Sequence, residues 1–344
     1  MKWLRMLIAF AVLAVLAFSA AAYLSWQWLH ESPLHENAQQ RLEVTIHSGE
    51  TLGKLAAELS NEQWLRYPRL WLAYARYKGL ATKIQAGHYQ LEPDLSPVQL
   101  LDKLVDGDVE LRQLRVIEGS RYADMLKIVR DHSSIEQTRA DWSEKELQLT
   151  LGLPPEMALE GWFYPDTMLF AEGTTDISLL KSGYARMREV LASEWAQRAD
   201  DLPYETAYEA LIMASIVEKE TGRASERAEI AGVFVRRLIK RMRLQTDPTV
   251  IYGLGPDFDG NIRYRHLRED TPYNTYTRAG LPPSPIALPG RAAIHAALHP
   301  ADGESLFFVA KGDGSHYFSK TLEEHEKAVR EYQLKRRKDY RSSP

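Results

Sequence analysis

Apolar positions begin with one long run near the start of the chain. Residues 6–24 are apolar except for Ser19, follow Lys2 and Arg5, and are long enough to cross a bilayer as a helix. Aromatic residues of the kind found at membrane interfaces come next: Tyr23, Trp26 and Trp28. We expect an uncleaved anchor over residues 1–27 with its basic tip in the cytoplasm. A cleaved signal peptide is the alternative, because residues 19–22 are small, but its apolar core would be only about 7–15 residues long.

Short periodic patterns start after a polar stretch, residues 28–42, which predicts a tether. Val44 to Ile46 alternates as a strand, Gly49 begins a turn, and apolar residues from Leu52 onward recur at helical spacing. This strand–turn–helix resembles the first half of a LysM module, a peptidoglycan-binding unit. A plain structural βα unit is the alternative.

The same region continues with an aromatic segment, residues 64–77, which predicts a helix whose rings pack in a core. A strand over residues 87–91 and a helix capped by Ser96 follow. The strand–turn–helix pattern recurs at residues 111–129 around Gly119, with Ser120 as the predicted cap, which suggests a duplicated unit.

The most informative stretch is a helix predicted over residues 206–222. Thr206 and Glu209 form a capping box, residues 210–217 carry no charge, and Gly222 is suited to end the helix. A helix that is uncharged on all sides is buried, so the acidic residue that follows in its last turn, Glu218, is unexpected.

Glu218 is predicted to hold a proton near neutral pH. At helical spacing it lies over small and apolar residues, and the C-terminal end of a helix disfavours an anion. Both effects raise a carboxyl pKa, which is what a general acid requires. The alternative is a solvated helix end on which Glu218 pairs with Lys219 or a later arginine.

Further polar residues follow this helix. Ser225 is predicted to cap a second helix, residues 244–252 are strand-like, and residues 273–289 have many turns. Amides, hydroxyls and aromatic rings in these segments are the groups that grip sugars, so we expect a lined cleft. The predicted substrate-binding residues are Gln245, Asp247, Tyr252, Asn274, Tyr276 and Glu226.

Composition excludes several chemistries. The chain has 344 residues, a net charge of −4 and no cysteine, so thiolate sites are absent and nothing global favours nucleic acid. His295 and His299 have the spacing of metal ligands, but the glutamate of a metalloprotease motif is missing between them. We interpret them as packing histidines and predict no metal and no cofactor. The basic run at residues 236–243 is interpreted as an exposed helix face.

A resemblance to a known family rests on ordered strings. They are Ala214-Ser-Ile-Val-Glu-Lys-Glu220, Glu226-Arg227, Val233-Phe234, Met242-Arg-Leu-Gln-Thr-Asp-Pro-Thr-Val-Ile-Tyr-Gly253, Tyr273-Asn-Thr-Tyr276, Gly280-Leu-Pro-Pro283 and Leu159-Glu-Gly-Trp-Phe-Tyr-Pro-Asp-Thr167. The chain resembles the MltG (YceG-like) endolytic murein transglycosylases. The resemblance implies that Glu218 is the catalytic residue and that the protein is a single-pass inner-membrane protein with its catalytic domain in the periplasm. It also implies peptidoglycan glycan strands as substrate and peptidoglycan synthases as neighbours.

The expected reaction is non-hydrolytic cleavage of the MurNAc–GlcNAc β-1,4 bond to a 1,6-anhydro end. A muramidase, which hydrolyses the same bond, would need a second carboxylate from Asp247, Glu226 or Glu220. A non-catalytic peptidoglycan-binding adaptor is a third reading.

The expected architecture is α+β. A transmembrane helix precedes a LysM-like module with a helical insertion (residues 43–110), a second strand–turn–helix piece with a connection (111–155), and a mixed helical and β catalytic domain (156–340).

Overall fold

The structure is a computed structural model that describes residues 2–35, 41–47 and 49–334. Its helices are α1 (Lys2–Glu31), α2 (Leu52–Asn61), α3 (Pro68–Tyr77), α4 (Pro97–Asp106), α5 (Tyr122–Asp131), α6 (Glu144–Leu151), α7 (Asp176–Ala196), α8 (Ala207–Glu220), α9 (Arg227–Ile239), α10 (Asp247–Leu254), α11 (Tyr264–Arg268), α12 (Arg291–Leu298) and α13 (Leu322–Val329). Its strands are β1 (Leu42–Ile46), β2 (Gly87–Leu91), β3 (Leu111–Arg115), β4 (Ile135–Glu136), β5 (Thr167–Ala171), β6 (Thr174–Thr175), β7 (Phe307–Ala310) and β8 (His316–Ser319).

The strands form small sheets among many helices. In the described residues each sheet has two strands, and the pairs are β1–β2, β3–β5, β4–β6 and β7–β8. The fold is therefore mixed α and β, and the expected helical and β composition is confirmed. The charged sequence at residues 335–338 predicts a solvated tail, and this segment lies outside the described residues.

The chain divides into two compact units. The first comprises Met1–Gln113, Ser133–Glu136 and Leu169–Thr175, and the second comprises Leu114–His132, Gln137–Met168 and Asp176–Pro344. The predicted domain bounds at residues 110 and 155 stay predictions. The strand–turn–helix around Gly119 belongs mainly to the second unit.

The first unit is built around the antiparallel pair β1–β2, in which Val44 lies opposite Tyr89. The hydroxyl of Thr51 caps α2 by accepting from the backbone N–H of Lys54, and Ser96 and Gln99 cap α4 reciprocally. These elements are confirmed as predicted. The two buried tryptophans of the aromatic segment, at positions 64 and 71, confirm its core role, whereas Tyr67 and Tyr77 are exposed.

Helix α1 extends further than the predicted anchor. It continues to Glu31, and Leu29 is buried in the core of the first unit, so part of the predicted tether is helical and packed. Its apolar part is long enough to cross a membrane, by length and composition.

The second unit surrounds helix α8. Residues Ala210 to Val217 are all buried, with α12, α9, α7 and α10 packed around them. Strands β7 and β8 form a terminal hairpin, which the final helix α13 follows. The uncharged stretch of α8 is therefore buried within this unit, and Glu218 follows it directly in the last turn of the helix.

Several local predictions in this unit are wrong. Residues 247–254 form helix α10 instead of a strand, because Pro248 in its first turn has a φ suited to a helix and Thr246 stands at the N-cap. Helices α5 and α9 begin at Tyr122 and Arg227, so neither Ser120 nor Ser225 is the cap residue.

Two further expectations about α8 and its successor fail. The side chain of Glu209 accepts a hydrogen bond from the backbone N–H of Glu205 and not from that of Thr206. Helix α8 ends at Thr221, which has an extended backbone, before Gly222 is reached. Arg237 is buried and donates to the carbonyl oxygens of Leu306 and Leu244, so the basic run includes a structural arginine and is not simply an exposed face.

Candidate active site

Glu218 lies in the last turn of α8 with little access to water. Its side chain is 6 % exposed, and the eight residues before it, Ala210 to Val217, are all buried. One turn earlier, the hydroxyl of Ser215 accepts from the backbone N–H of Ile286 at 3.0 Å. The loop before α12 is therefore fixed along the same face of α8 that leads to Glu218.

The carboxylate of Glu218 is held by the end of that loop. The backbone N–H of Gly290 donates to Oε2 at 2.9 Å, and Nη2 of Arg227 lies 3.8 Å from Oε1. Burial raises the pKa of Glu218, the Gly290 hydrogen bond partly opposes this, and the negative charge of Glu118 raises it further. The pKa of Glu218 is therefore shifted in the direction expected from the sequence.

A tight turn at Glu118 to Ser120 forms the third side of the site. The N–H of Gly119 donates to the carbonyl of Leu288 at 2.9 Å, and the N–H of Leu288 donates to Ser120 at 2.8 Å. Lys219 Nζ donates to the carbonyl oxygen of Gly119 at 3.2 Å. Gly119 has φ +77°, which suits glycine, and lies against the side chain of Glu218.

A cavity of about 830 Å³ opens beside these segments. It is large enough for saccharide units, since ligand sites range from about 300 to 1,000 Å³. Acidic, basic, aromatic and amide side chains line it. They include Glu218, Lys219, Glu220, Arg237, Gln245, Thr246, Asp247, Tyr276, Phe308, His316 and His325.

Three of the predicted binding residues line this cavity with Glu218: Gln245, Asp247 and Tyr276. The hydroxyl of Tyr276 donates to Oδ1 of Asp247 at 2.6 Å, which fixes both side chains. Gln245 is exposed and has φ +52°, an uncommon conformation for a residue with a side chain. Their substrate-binding roles stay predictions.

The other three predicted binding residues are not among the cavity-lining residues. Glu226 accepts from the backbone N–H of His316 at 3.1 Å and contacts its Nδ1 at 2.7 Å, so it supports a residue of the cavity wall. Asn274 is buried and donates to the carbonyls of His266 and Glu269, which fixes the loop. Tyr252 bonds to Glu160 instead.

Helical spacing puts Glu220 on the side of α8 opposite Glu218, yet both residues line the same cavity. Glu220 lies beyond the uncharged stretch and accepts from the hydroxyl of Thr246. Burial raises the pKa of Glu220 to about 7, and the charge of Asp247 acts in the same direction. The cavity therefore contains a second carboxyl group whose pKa is raised by burial.

Sequence reasoning missed Glu118 and Arg227 as members of the site. Glu118 was interpreted only as part of a turn. Arg227 was included in a family string, and the alternative interpretation of Glu218 named only an unspecified later arginine as a partner. The Nε atom of Arg227 is buried with no hydrogen-bond partner among the described residues. The sequence feature that could have pointed to Glu118 is the Glu118-Gly119 turn, which resembles the earlier turn at Gly49. That resemblance does not indicate that the turn lies close to Glu218.

A separate buried carboxyl, Glu160, accepts from the backbone N–H of Tyr122 at 2.9 Å and from the hydroxyl of Tyr252. Burial raises the pKa of Glu160 to about 7. In the unfolded chain Glu160 loses its proton above its ordinary pKa of 4.5, whereas in the folded state it keeps the proton up to about pH 7. The free energy of unfolding therefore falls as pH rises from about 4.5 to 7.

We expect Glu160→Gln to flatten that pH dependence. The amide can still accept from Tyr122, but it has no charge to bury, so about 2–4 kcal/mol of the stability loss should disappear. Urea unfolding at pH 5 and pH 8 measures the difference. An equally steep fall in the variant would contradict the assignment.

The two histidines on α12 have partners within the chain. His295 Nδ1 lies 2.8 Å from Glu194, and His299 Nε2 lies 2.7 Å from the carbonyl of Gln197. The possible ligand atoms of Glu194, His295 and His299 lie within 4.8 Å of one another. Arg291, however, also donates to Glu194 at 2.7 Å. A guanidinium at that carboxylate competes with a cation, and the absence of a metal stays a prediction.

Two similar proteins are murein transglycosylases by name. An endolytic murein transglycosylase of Bacillus subtilis (strain 168) is 29% identical over 317 residues, covering 87% of this chain and 87% of that protein. One from Streptococcus pneumoniae (strain D39) is 27% identical over 361 aligned positions, covering 94% of this chain, which spans 64% of that protein.

A solved structure is also similar. The crystal structure of a YceG-like protein from Listeria monocytogenes superposes with a TM-score of 0.52 at 29% identity, covering 84% of this chain and 99% of that one. The model of the YceG-like family matches residues 44–331, which include every residue of the site described above. The chain therefore belongs to the YceG-like family.

Proposed function

We propose that this protein is an endolytic peptidoglycan lytic transglycosylase that cleaves the MurNAc–GlcNAc β-1,4 bond within glycan strands and leaves 1,6-anhydroMurNAc ends. The observation that supports it most is Glu218, a carboxyl with a raised pKa in the wall of a cavity of about 830 Å³. The relatives named as endolytic murein transglycosylases support the enzyme class.

The reaction uses one carboxyl group twice. Glu218 first donates its proton to the glycosidic oxygen as the C1–O bond breaks. It then removes the proton of the MurNAc C6 hydroxyl as that oxygen bonds to C1 and closes the anhydro ring. No water is consumed and the proton returns to Glu218. The Gly290 N–H holds Oε2, which leaves Oε1 as the oxygen that exchanges the proton.

Nearby anions and polar groups suit the positive charge that develops at C1. Glu118 raises the pKa of Glu218 electrostatically, and Asp247, fixed by Tyr276, lines the same cavity. Negative charge close to an oxocarbenium-like transition state stabilises it.

A muramidase that hydrolyses the same bond is the second candidate. Glu220 and Asp247 line the cavity and provide the further carboxylates that hydrolysis needs, while Glu226 is one residue removed behind His316. Digestion of purified glycan strands by the full chain separates the candidates by mass spectrometry. Fragments lighter by one water than reducing-end fragments support the transglycosylase, and reducing ends would replace it with the muramidase.

Glu118 gives a prediction of its own. Glu118→Gln removes a negative charge that raises the pKa of Glu218, so Glu218 should lose its proton at lower pH. The alkaline limb of the cleavage rate against pH should shift to lower pH. An unchanged profile would show that Glu118 does not act on Glu218. Glu110→Gln, a change at a carboxylate of the first unit, is the control.

The remaining parts of the chain complete the proposal. Helix α1 would anchor the protein in the inner membrane, with the rest in the periplasm, where peptidoglycan synthases would be neighbours. Residues 43–110 would be a LysM-like module that binds the same polymer, supported by its strand, turn and capped helix. Residues 156–340 would be the catalytic domain. The turn at Glu118, which belongs to residues 111–155, packs against this domain through the hydrogen bonds of Gly119 and Ser120 with Leu288.

A further inference from the structure

A second large cavity lies within the first unit, where the end of α1 meets the start of α3. Its volume is about 800 Å³, and it shares no lining residue with the cavity at Glu218. Helix α1 contributes one set of lining residues: Leu24, Ser25, Gln27, Trp28, with Ser32 directly after it. The segment at α3 contributes the other set: Arg66, Tyr67, Pro68, Arg69 and Leu70.

Packed rings fix the walls of this cavity. Trp28 meets Tyr67 edge-on, with ring centroids 5.1 Å apart, and His30 meets Tyr74 at 5.9 Å. Leu29 is 6 % exposed and belongs to the same hydrophobic core as Trp71. The end of α1 is therefore part of the folded unit, and its position next to α3 is set by side-chain packing.

The cavity lies at a defined depth if α1 spans the membrane. At about 1.5 Å per residue, the apolar residues 6–24 extend about 28 Å, close to the hydrocarbon thickness of about 30 Å. The cavity begins at Leu24, at the end of this apolar stretch, and continues to Ser32. Those positions correspond to the headgroup layer of the leaflet opposite Lys2 and Arg5, where tryptophan and tyrosine are enriched.

The charge in the cavity is positive. Arg66 and Arg69 are exposed, and among the described residues neither has a carboxylate within 4.0 Å, whereas Arg112 of the same unit pairs with Glu172 at 3.0 Å. The guanidinium of Arg66 lies 5.3 Å from the ring centre of Tyr67. Guanidinium groups bind phosphate oxygens in pairs, and the hydroxyls of Ser25 and Ser32 can donate to the same ligand.

We propose that this cavity binds the phosphate headgroup of an anionic phospholipid of the outer leaflet. Arg66 and Arg69 bind the phosphate, Trp28 and Tyr67 pack against the glycerol region, and the acyl chains run beside the apolar surface of α1 from Leu24. The site would fix the height of the first unit above the bilayer. This inference rests on the membrane insertion of α1 proposed above and is independent of glycan cleavage.

The test uses the full chain in nanodiscs of phosphatidylcholine with added phosphatidylglycerol. Native mass spectrometry counts the phosphatidylglycerol molecules that stay bound after release from the disc. We expect one retained lipid for the natural chain and about 10-fold lower occupancy for R66Q/R69Q, since the loss of paired charge-assisted contacts costs more than 1.4 kcal/mol. The control R76Q/K83Q removes two exposed charges outside the cavity and should retain the lipid.

Equal occupancy in R66Q/R69Q and the natural chain would overturn the proposal, as would an equal loss in the control. Displacement of the lipid by millimolar inorganic phosphate would show a site for free phosphate and not for a lipid. Failure of the chain to float with vesicles would remove the membrane premise. Glycan cleavage by the natural chain is measured on the same samples, so a failure of the lipid site and a failure of the proposed function are distinguished.

Discussion

Replacing Glu218 by glutamine is expected to lower the rate of glycan cleavage by about 10²- to 10⁴-fold, the usual contribution of a positioned general acid. The single side-chain oxygen of glutamine can take the position of Oε2 and accept from the Gly290 N–H, so the loop and the fold should remain. It has no proton to give to the glycosidic oxygen and cannot remove one from the C6 hydroxyl. The release of soluble glycan fragments with time measures the effect.

Glu205→Gln is the matched control, because it makes the same chemical change at an exposed glutamate just before α8. It should cleave at the natural rate. If Glu218→Gln also cleaved at the natural rate, Glu218 would not be the acid. The absence of cleavage by the natural chain itself would favour the adaptor that binds peptidoglycan without cutting it.

The second large effect is expected at Gly290. Its backbone has φ −76°, which alanine adopts without strain. A Cβ there, however, would lie 1.9 Å from Oε1 of Glu118, so that carboxylate or the backbone at residue 290 must move to make room for the methyl group. Gly290→Ala should therefore displace Glu118, or shift the N–H that holds Glu218, and slow cleavage by about 10- to 100-fold.

A double-variant cycle isolates the cause. In a Glu118→Ala background, Gly290→Ala should have little further effect, because the group that it displaces is already gone. Gly183→Ala on α7 is the control, since its Cβ would lie at an ordinary 3.8 Å from Phe163. A Gly290→Ala effect that is the same with and without Glu118 would contradict this account of the site.

Local patterns predicted most of the elements that position Glu218. The uncharged run that makes α8 a central helix and the cap at Thr206 both depend on residues close together in sequence. Helix α10 was missed because its β-branched residues resemble a strand, and the helix-favouring Pro248 was outweighed.

The surroundings of Glu218 depend on contacts between distant parts of the chain. Gly290 donates to Glu218 from 72 residues away, and Lys219 reaches the carbonyl of Gly119 across 100 residues. No spacing rule within one helix contains such contacts, so Glu118 and Arg227 were not recognised as neighbours. The same reason applies to Asn274. Its hydrogen bond to the carbonyl of His266 fixes a loop, and the sequence pattern gave no indication of that contact.

Cleavage in water enriched with ¹⁸O tests the central claim most directly, because it asks whether water enters the product. If Glu218 transfers the proton of the C6 hydroxyl, every new MurNAc end is an anhydro ring that contains no ¹⁸O when the fragments are analysed by mass spectrometry. New ends that contain one ¹⁸O atom would contradict the account and identify the reaction as hydrolysis.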